Sequence, residues 1–129
     1  MIAADTSTWV AFLQDEPGAD VAVLDRALED RQVLMLPAVL TEILSEPKLH
    51  PHVAAHLVEL PLLETTDGYW RRAGQLRARV LARRRRARLG DALIAQSCVD
   101  HRVSLLTRDR DFIAFAQTAG LDLLLQPGR

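Results

Sequence analysis

Apolar residues along the chain follow two spacings. Short continuous runs at Met1–Ala4, Val33–Leu36 and Val103–Leu106 predict buried strands, and Leu62–Thr65 and Leu121–Leu125 read as two more. Between them the spacing changes to three and four residues, as one face of a helix requires. Thr8–Gln14 carries Trp9, Val10, Phe12 and Leu13, and the Pro17-Gly18 break separates it from Ala19–Asp30, with Val21, Leu24 and Leu28. Pro37 suits the first turn of a helix that turns Val39, Leu40, Ile43 and Leu44 inward and ends near Glu46-Pro47. A short helix is predicted over Pro51–Glu59. Asp67 is placed to cap a long helix that buries Trp70, Ala73, Leu76 and Val80. Ala92–Asp100 is apolar nearly all round and hence central, and Phe112–Thr118 is the last helix.

Strands alternating with helices imply an α/β fold: a three-layer αβα sandwich around a parallel sheet of about five strands. In open sheets of this kind ligands bind beyond the carboxyl ends of the strands. Asp5 follows the first strand, and Asp109 follows the strand at Val103–Leu106. Each has a plain alternative role. Asp5, ahead of Thr6 and Ser7, would cap a helix, as would Asp91 behind Gly90. Asp109 and Asp111 would serve a turn.

Glu42 is harder to place as structure. Val39, Leu40, Ile43 and Leu44 surround it, which predicts a carboxylate at the edge of the core, costly to bury unless it is paired or bound to a cation. Several carboxylates at one sheet edge repel one another, and a divalent cation removes the conflict. Mg²⁺ suits an all-oxygen site and is commonly held by few carboxylates plus substrate phosphate. Asp5 and Asp91 are the candidate metal ligands. Glu42 and Asp109 would complete the shell or orient water, and Thr6, Ser7 and Thr107 would steady the acids.

Charge distribution points to the substrate. The 129 residues carry a formal net charge of −1, yet the stretch from Arg71 to Arg88 holds nine basic residues and no acid, against seven basic and all seventeen acidic residues elsewhere. A basic strip on an acidic body meets a polyanion from one side, and Arg83, Arg84, Arg85, Arg86 and Arg88 lie immediately before Asp91. Nucleic acid therefore fits better than a small phosphoester.

Other chemistry finds little support. Cys98 is the only cysteine, which rules out an internal disulfide and suggests inert core. His52 and His56 stand four apart on a helix but lack a third ligand. Ser7 has no nucleophile elbow. Trp9 and Trp70 read as core rather than as base-stacking platforms. A phosphatase or response regulator would need a second acid beside Asp5 or a late lysine, whereas residue 7 is serine and Lys48 is the single lysine. The length suits one domain over residues 1–129, with no apolar run long enough for a membrane span and no signal peptide, so a cytoplasmic protein is expected.

The acids lie in recognisable segments: Asp5-Thr6-Ser7 after a short strand, Glu42 in Pro37–Leu44, Gly90-Asp91-Ala92-Leu93-Ile94-Ala95, and Leu105–Phe112 with Thr107, Asp109 and Asp111. Together, in this order and over essentially the whole chain, they resemble the PIN-domain nucleases, and among them the VapC toxins of VapBC toxin–antitoxin modules. The resemblance implies a Mg²⁺-dependent endoribonuclease, with Mn²⁺ as a substitute, that forms a homodimer and is inhibited by a small VapB-like antitoxin. It carries the four family acids onto Asp5, Glu42, Asp91 and Asp109, with Asp111 close enough to share the fourth role. The arginine run is denser than the family pattern requires. A PIN-fold nuclease with a housekeeping RNA substrate and a non-catalytic RNA- or partner-binding module are the alternative readings.

Overall fold

The computed structural model describes residues 1–128. In chain order the elements are β1 (Ile2–Ala4), α1 (Thr6–Leu13), α2 (Ala19–Glu29), α3 (Pro37–Leu44), α4 (Pro51–Leu57), α5 (Tyr69–Ala82), α6 (Leu89–His101), β2 (Ser104–Leu106) and α7 (Phe112–Ala119). β1 and β2 pair in parallel, with Ile2 opposite Ser104, Ala3 opposite Leu105 and Ala4 opposite Leu106. The sheet widens on both sides through single parallel bridges, Ile2 to Val33, Met35 to Leu62 and Leu105 to Leu123.

All five predicted rows are therefore in the sheet, but among the described residues only β1 and β2 form a continuous ladder. The reason is local. Pro37 starts α3 directly behind the Val33–Leu36 run, and Pro61, which has no N–H, precedes Leu62. Each outer row keeps one pair of hydrogen bonds, as where Met35 N–H donates to the Pro61 carbonyl and Leu63 N–H to that of Met35.

Helices close over the sheet in the expected αβα arrangement. α1 packs on α2 and α3, and α6 packs on α3, α5 and α7. The core runs from Ala3, Trp9 and Leu24 through Met35, Val39, Leu76 and Ile94 to Leu105, Phe112 and Phe115. As predicted, α6 is buried on several sides; Ile94, Ala95, Gln96, Ser97 and Cys98 are all inside. Burial pushes the Cys98 thiol up to about 12, so it behaves as core.

The register of α5 departs from expectation. Tyr69, not Trp70, leads the buried set with Ala73, Leu76 and Val80; Tyr69 is 4% exposed and Trp70 68%. The cap is Gly68, at φ +78, rather than Asp67, so the helix begins in a left-handed turn that favours glycine. Tyr69 gains a hydrogen bond that tryptophan could not reproduce there, its hydroxyl donating to the Leu93 carbonyl at 2.7 Å and accepting from Ser97 Oγ at 3.3 Å. Leu44, expected inward, is exposed at the end of α3. α6 starts at Leu89 with Arg88 as its cap, which puts Asp91 inside the first turn instead of at the N-cap.

This register is testable by urea unfolding. Tyr69→Ala should cost about 3–5 kcal/mol, as for other large aromatic truncations in a core. Trp70→Ala in the monomer should cost about 0.5 kcal/mol or less. The reverse ranking would place α5 one residue out of register.

Candidate metal centre

Two strand ends and one helix start deliver the acids. Asp5 leaves the carboxyl end of β1 and is 4% exposed. Its Oδ1 accepts from Ser7 Oγ at 2.7 Å and, as the α1 cap, from the Thr8 N–H at 3.2 Å. Its Oδ2 accepts from Thr107 Oγ1 at 2.8 Å. Thr107 lies just beyond β2, and its hydroxyl also accepts from the Asp109 N–H at 2.9 Å. Asp109 Oδ1 in turn accepts from the Asp111 N–H at 2.9 Å. One chain of bonds thus joins the two central strand ends and sets both later aspartates.

Asp91, from the first turn of α6, meets them there. Carboxylate oxygens of Asp91, Asp109 and Asp111 lie within 4.8 Å of one another, the only such grouping of metal-type side chains among the described residues. Burial, then the charges of Asp109 and Asp5 and finally Asp111, push the Asp91 carboxyl up to about 7 despite Arg88 nearby. Burial also raises Asp5, against the hydrogen bonds from Ser7, Thr107 and Thr8, with the Asp109 charge adding to the rise. Asp91 Oδ2 is buried and has no hydrogen-bond partner. A buried acceptor without a donor, facing other carboxylates, matches what a hard divalent cation supplies. Asp91, Asp109 and Asp111 form the nearest ligand set. Asp5 stands beside them with one lone pair of Oδ2 left over.

Glu42 differs from the sequence expectation. It is exposed, so the desolvation inferred from its apolar neighbours falls on Asp91 and Asp5 instead. Thr6 Oγ1 donates to Glu42 Oε1 at 2.8 Å, and a Cβ built on Gly90 would lie 3.9 Å from the same oxygen. Glu42 therefore stands over the start of α6, outside the aspartate trio. The four expected acids and their hydroxyl neighbours Thr6, Ser7 and Thr107 occupy one edge of the sheet, with Asp111 drawn in.

The basic strip divides in two. Arg77 donates to the Ala87 carbonyl, Arg79 to that of Thr118, and Arg83 to Thr118 Oγ1 and Gln117 Oε1, so these fasten α5 to its surroundings. Arg84, Arg85, Arg86 and Arg88 are exposed; Arg86 comes within 3.8 Å of Asp111. His52 and His56 are absorbed locally: the His52 ring stacks on His50, and His56 Nδ1 lies 2.8 Å from the His52 carbonyl. Sequence reasoning missed Asp20, in the first turn of α2, which takes two hydrogen bonds from Arg108. Nothing in either segment signals a pairing 88 positions apart.

The raised acids set a pH dependence. A carboxyl whose pKa is higher folded than unfolded stabilises the native state below its ordinary value, 3.8 for Asp91, and that contribution is lost as pH rises towards about 7. Thermal unfolding of the metal-free protein from pH 4 to 8 should show this decline. Asp91→Asn should flatten it and leave the metal-free chain more stable at neutral pH. The expected gain is on the order of 2 kcal/mol, about half the full linkage value because Asp91 is partly solvent-screened. An unchanged pH slope would remove Asp91 from the shared field.

The fold has known counterparts. The family model described as PIN domain matches residues 2–118. No curated protein matches the sequence significantly. Among solved structures, the chain is similar to VapBC2 from Rickettsia felis, bound to a DNA fragment from its promoter, at TM-score 0.73 and 19% identity over 95% of this chain and 97% of that one. It is also similar to VapBC-5 from Mycobacterium tuberculosis, at TM-score 0.64 and 22% identity over 95% of each chain. FitAcB from Neisseria gonorrhoeae follows at TM-score 0.68 and 19% identity over 98% of each. At these identities the structures speak for the fold, and the family match covers nearly the whole sequence: the chain belongs to the PIN domain family.

Proposed function

We propose that this chain is a single-domain, metal-dependent endoribonuclease that serves as the toxin of a type II toxin–antitoxin module in the cytoplasm. PIN domains are generally nucleases, and one observation carries the reading for this chain. The buried, unpartnered Asp91 Oδ2 stands with Asp109, Asp111 and Asp5 at the carboxyl edge of a parallel sheet. Asp91, Asp109 and Asp111 would hold Mg²⁺, or Mn²⁺ in its place, with Asp5 fixing the loop that carries two of them. The bound cation would supply Lewis-acid neutralisation of charge on a phosphodiester. Glu42, exposed over the start of α6 and oriented by Thr6, would accept a proton from an attacking water. Arg84, Arg85, Arg86 and Arg88 would grip backbone phosphates on the approach to Asp91.

Two surfaces support the partners. A groove of about 670 Å³ between α1, α3 and the following loop is lined by Val10, Leu13, Ile43, Leu49 and Val53 and opens beside Glu42. Its apolar floor suits a segment of a small VapB-like antitoxin, and the similar solved structures are described as VapBC and FitAB assemblies. Trp70 and Leu89, 68% and 62% exposed, are large apolar side chains that a homodimer would cover.

Asp5→Asn and Asp91→Asn should each abolish Mg²⁺-dependent cleavage of a cellular RNA panel, read by mapped 5′ ends, while circular dichroism stays native. Full activity of purified Asp91→Asn would end the assignment.

The divided strip gives a second outcome. Replacing Arg84, Arg85, Arg86 and Arg88 together by Gln should flatten the salt dependence of RNA binding by up to about three units of log–log slope. Arg79→Gln with Arg83→Gln should instead lower the melting temperature and leave that slope alone. Equal slopes in all variants would make the exposed arginines a solvated face.

A further inference from the structure

The loop that carries Thr107, Asp109 and Asp111 is tied to a distant helix by an ion pair outside the acidic cluster. Arg108 donates from Nε to Asp20 Oδ2 at 2.7 Å and from Nη2 to Asp20 Oδ1 at 3.1 Å. Its Nη2 also donates to the Pro17 carbonyl at 2.7 Å. Asp20 is buried in the first turn of α2, where its Oδ2 also accepts from the buried Thr8 hydroxyl at 2.9 Å. The backbone of Arg108 is held as firmly: its N–H donates to Ser7 Oγ at 3.0 Å, the same hydroxyl that donates to Asp5. Arg108 is thus fixed at both ends, between Thr107, which bonds Asp5, and Asp109, which joins the trio.

Gly18 completes the arrangement. Its φ is +154, and a Cβ built there would overlap Arg108 Nη2 and lie 2.6 Å from Asp20 Oδ1. A side chain at residue 18 would be strained by its φ and would push the guanidinium off its bonds to Pro17 and Asp20.

From this geometry we infer that Asp20 and Arg108 are positioning residues of the metal centre: they clamp the loop after β2 so that Asp109 and Asp111 converge on Asp91. The inference rests on the metal reading above and deepens it. An ion pair between surface helices contributes little beyond stability. This one ends on the peptide unit between two residues of the site, where a shift of a few tenths of an ångström changes the ligand geometry.

The fold contains a matched control. Arg72 and Asp100 pair at 2.6 Å with side chains 35% and 11% exposed, against 2.7 Å with 34% and 11% for Arg108 and Asp20. That pair joins α5 to α6 and touches none of the acids.

Mn²⁺ binding to the full chain, measured by isothermal titration calorimetry, separates the two roles, with thermal unfolding of the same samples as the stability readout. Asp20→Asn and Arg108→Gln should weaken Mn²⁺ binding about tenfold or more, the usual effect of removing a partner that orients a ligand. Gly18→Ala should do the same without altering any charge. Arg72→Gln and Asp100→Asn should lower the melting temperature by a comparable amount and bind Mn²⁺ as the wild type does. Should Arg108→Gln not fold, Asp20→Asn decides, being nearly isosteric. Wild-type affinity in Asp20→Asn, or equal weakening in the Arg72 and Asp100 variants, would overturn the inference alone. A wild-type chain that takes up no Mn²⁺ would overturn the metal reading and this inference with it.

Discussion

The structure depends on one buried carboxylate, that of Asp5. It ends the first strand, starts the first helix and reaches across to the loop after β2, 102 positions later, through the Thr107 hydroxyl. An ionised group in so dry a place is costly unless its oxygens are satisfied, and three donors, Ser7, the Thr8 N–H and Thr107, serve it. Those donors fix the geometry of everything around it. The loop cannot drift without leaving Asp5 short of a partner, and Asp109 is carried by that loop.

Around this satisfied acid stands an unsatisfied set. Asp91, Asp109 and Asp111 face one another with little positive charge between them; Arg88 and the distant contact of Arg86 offset only part of the repulsion. A chain selected for stability alone would replace one of these acids, since like charges drawn out of water oppose folding. Keeping them is sensible where a cation completes the site, and local conflicts of this kind mark functional positions in otherwise consistent folds. The same logic separates the arginines. Arg77, Arg79 and Arg83 bond carbonyls and side chains of the fold, whereas Arg84, Arg85 and Arg88 are exposed and Arg86 reaches only the edge of the cluster at Asp111.

Much of this was legible in the sequence because it is local. Short apolar runs marked all five rows of the sheet, proline and glycine marked the breaks, and acids after strand ends marked the edge where the carboxylates gather. What was not legible depends on packing between distant segments. Val39, Leu40, Ile43 and Leu44 surround Glu42 along the chain, but on a helix they point to different sides, so apolar neighbours did not mean burial. Tyr69 and Trp70 compete for one buried position, and the choice rests on Gly68 and on a hydroxyl reaching Leu93, neither visible in a periodicity. The nearness of Asp111 to Asp91 follows from a turn closed by side chain to backbone bonds. The Asp20–Arg108 pair lies between segments that share no local pattern.

The pairing of β1 with β2 puts the first strand of the chain beside one that begins at residue 104. Its bonds are among the least local in the molecule, and such contacts are made late because the whole intervening loop must be closed first. During synthesis the ribosome has released most of the helices before the partner of Ile2–Ala4 exists. Asp5 then waits without Thr107, and Asp91 without Asp109. A growing chain of this topology holds no assembled acidic cluster until the segment after β2 has emerged, so the mutual repulsion of Asp91, Asp109 and Asp111 is met only at the end of folding and not during the packing of the earlier helices.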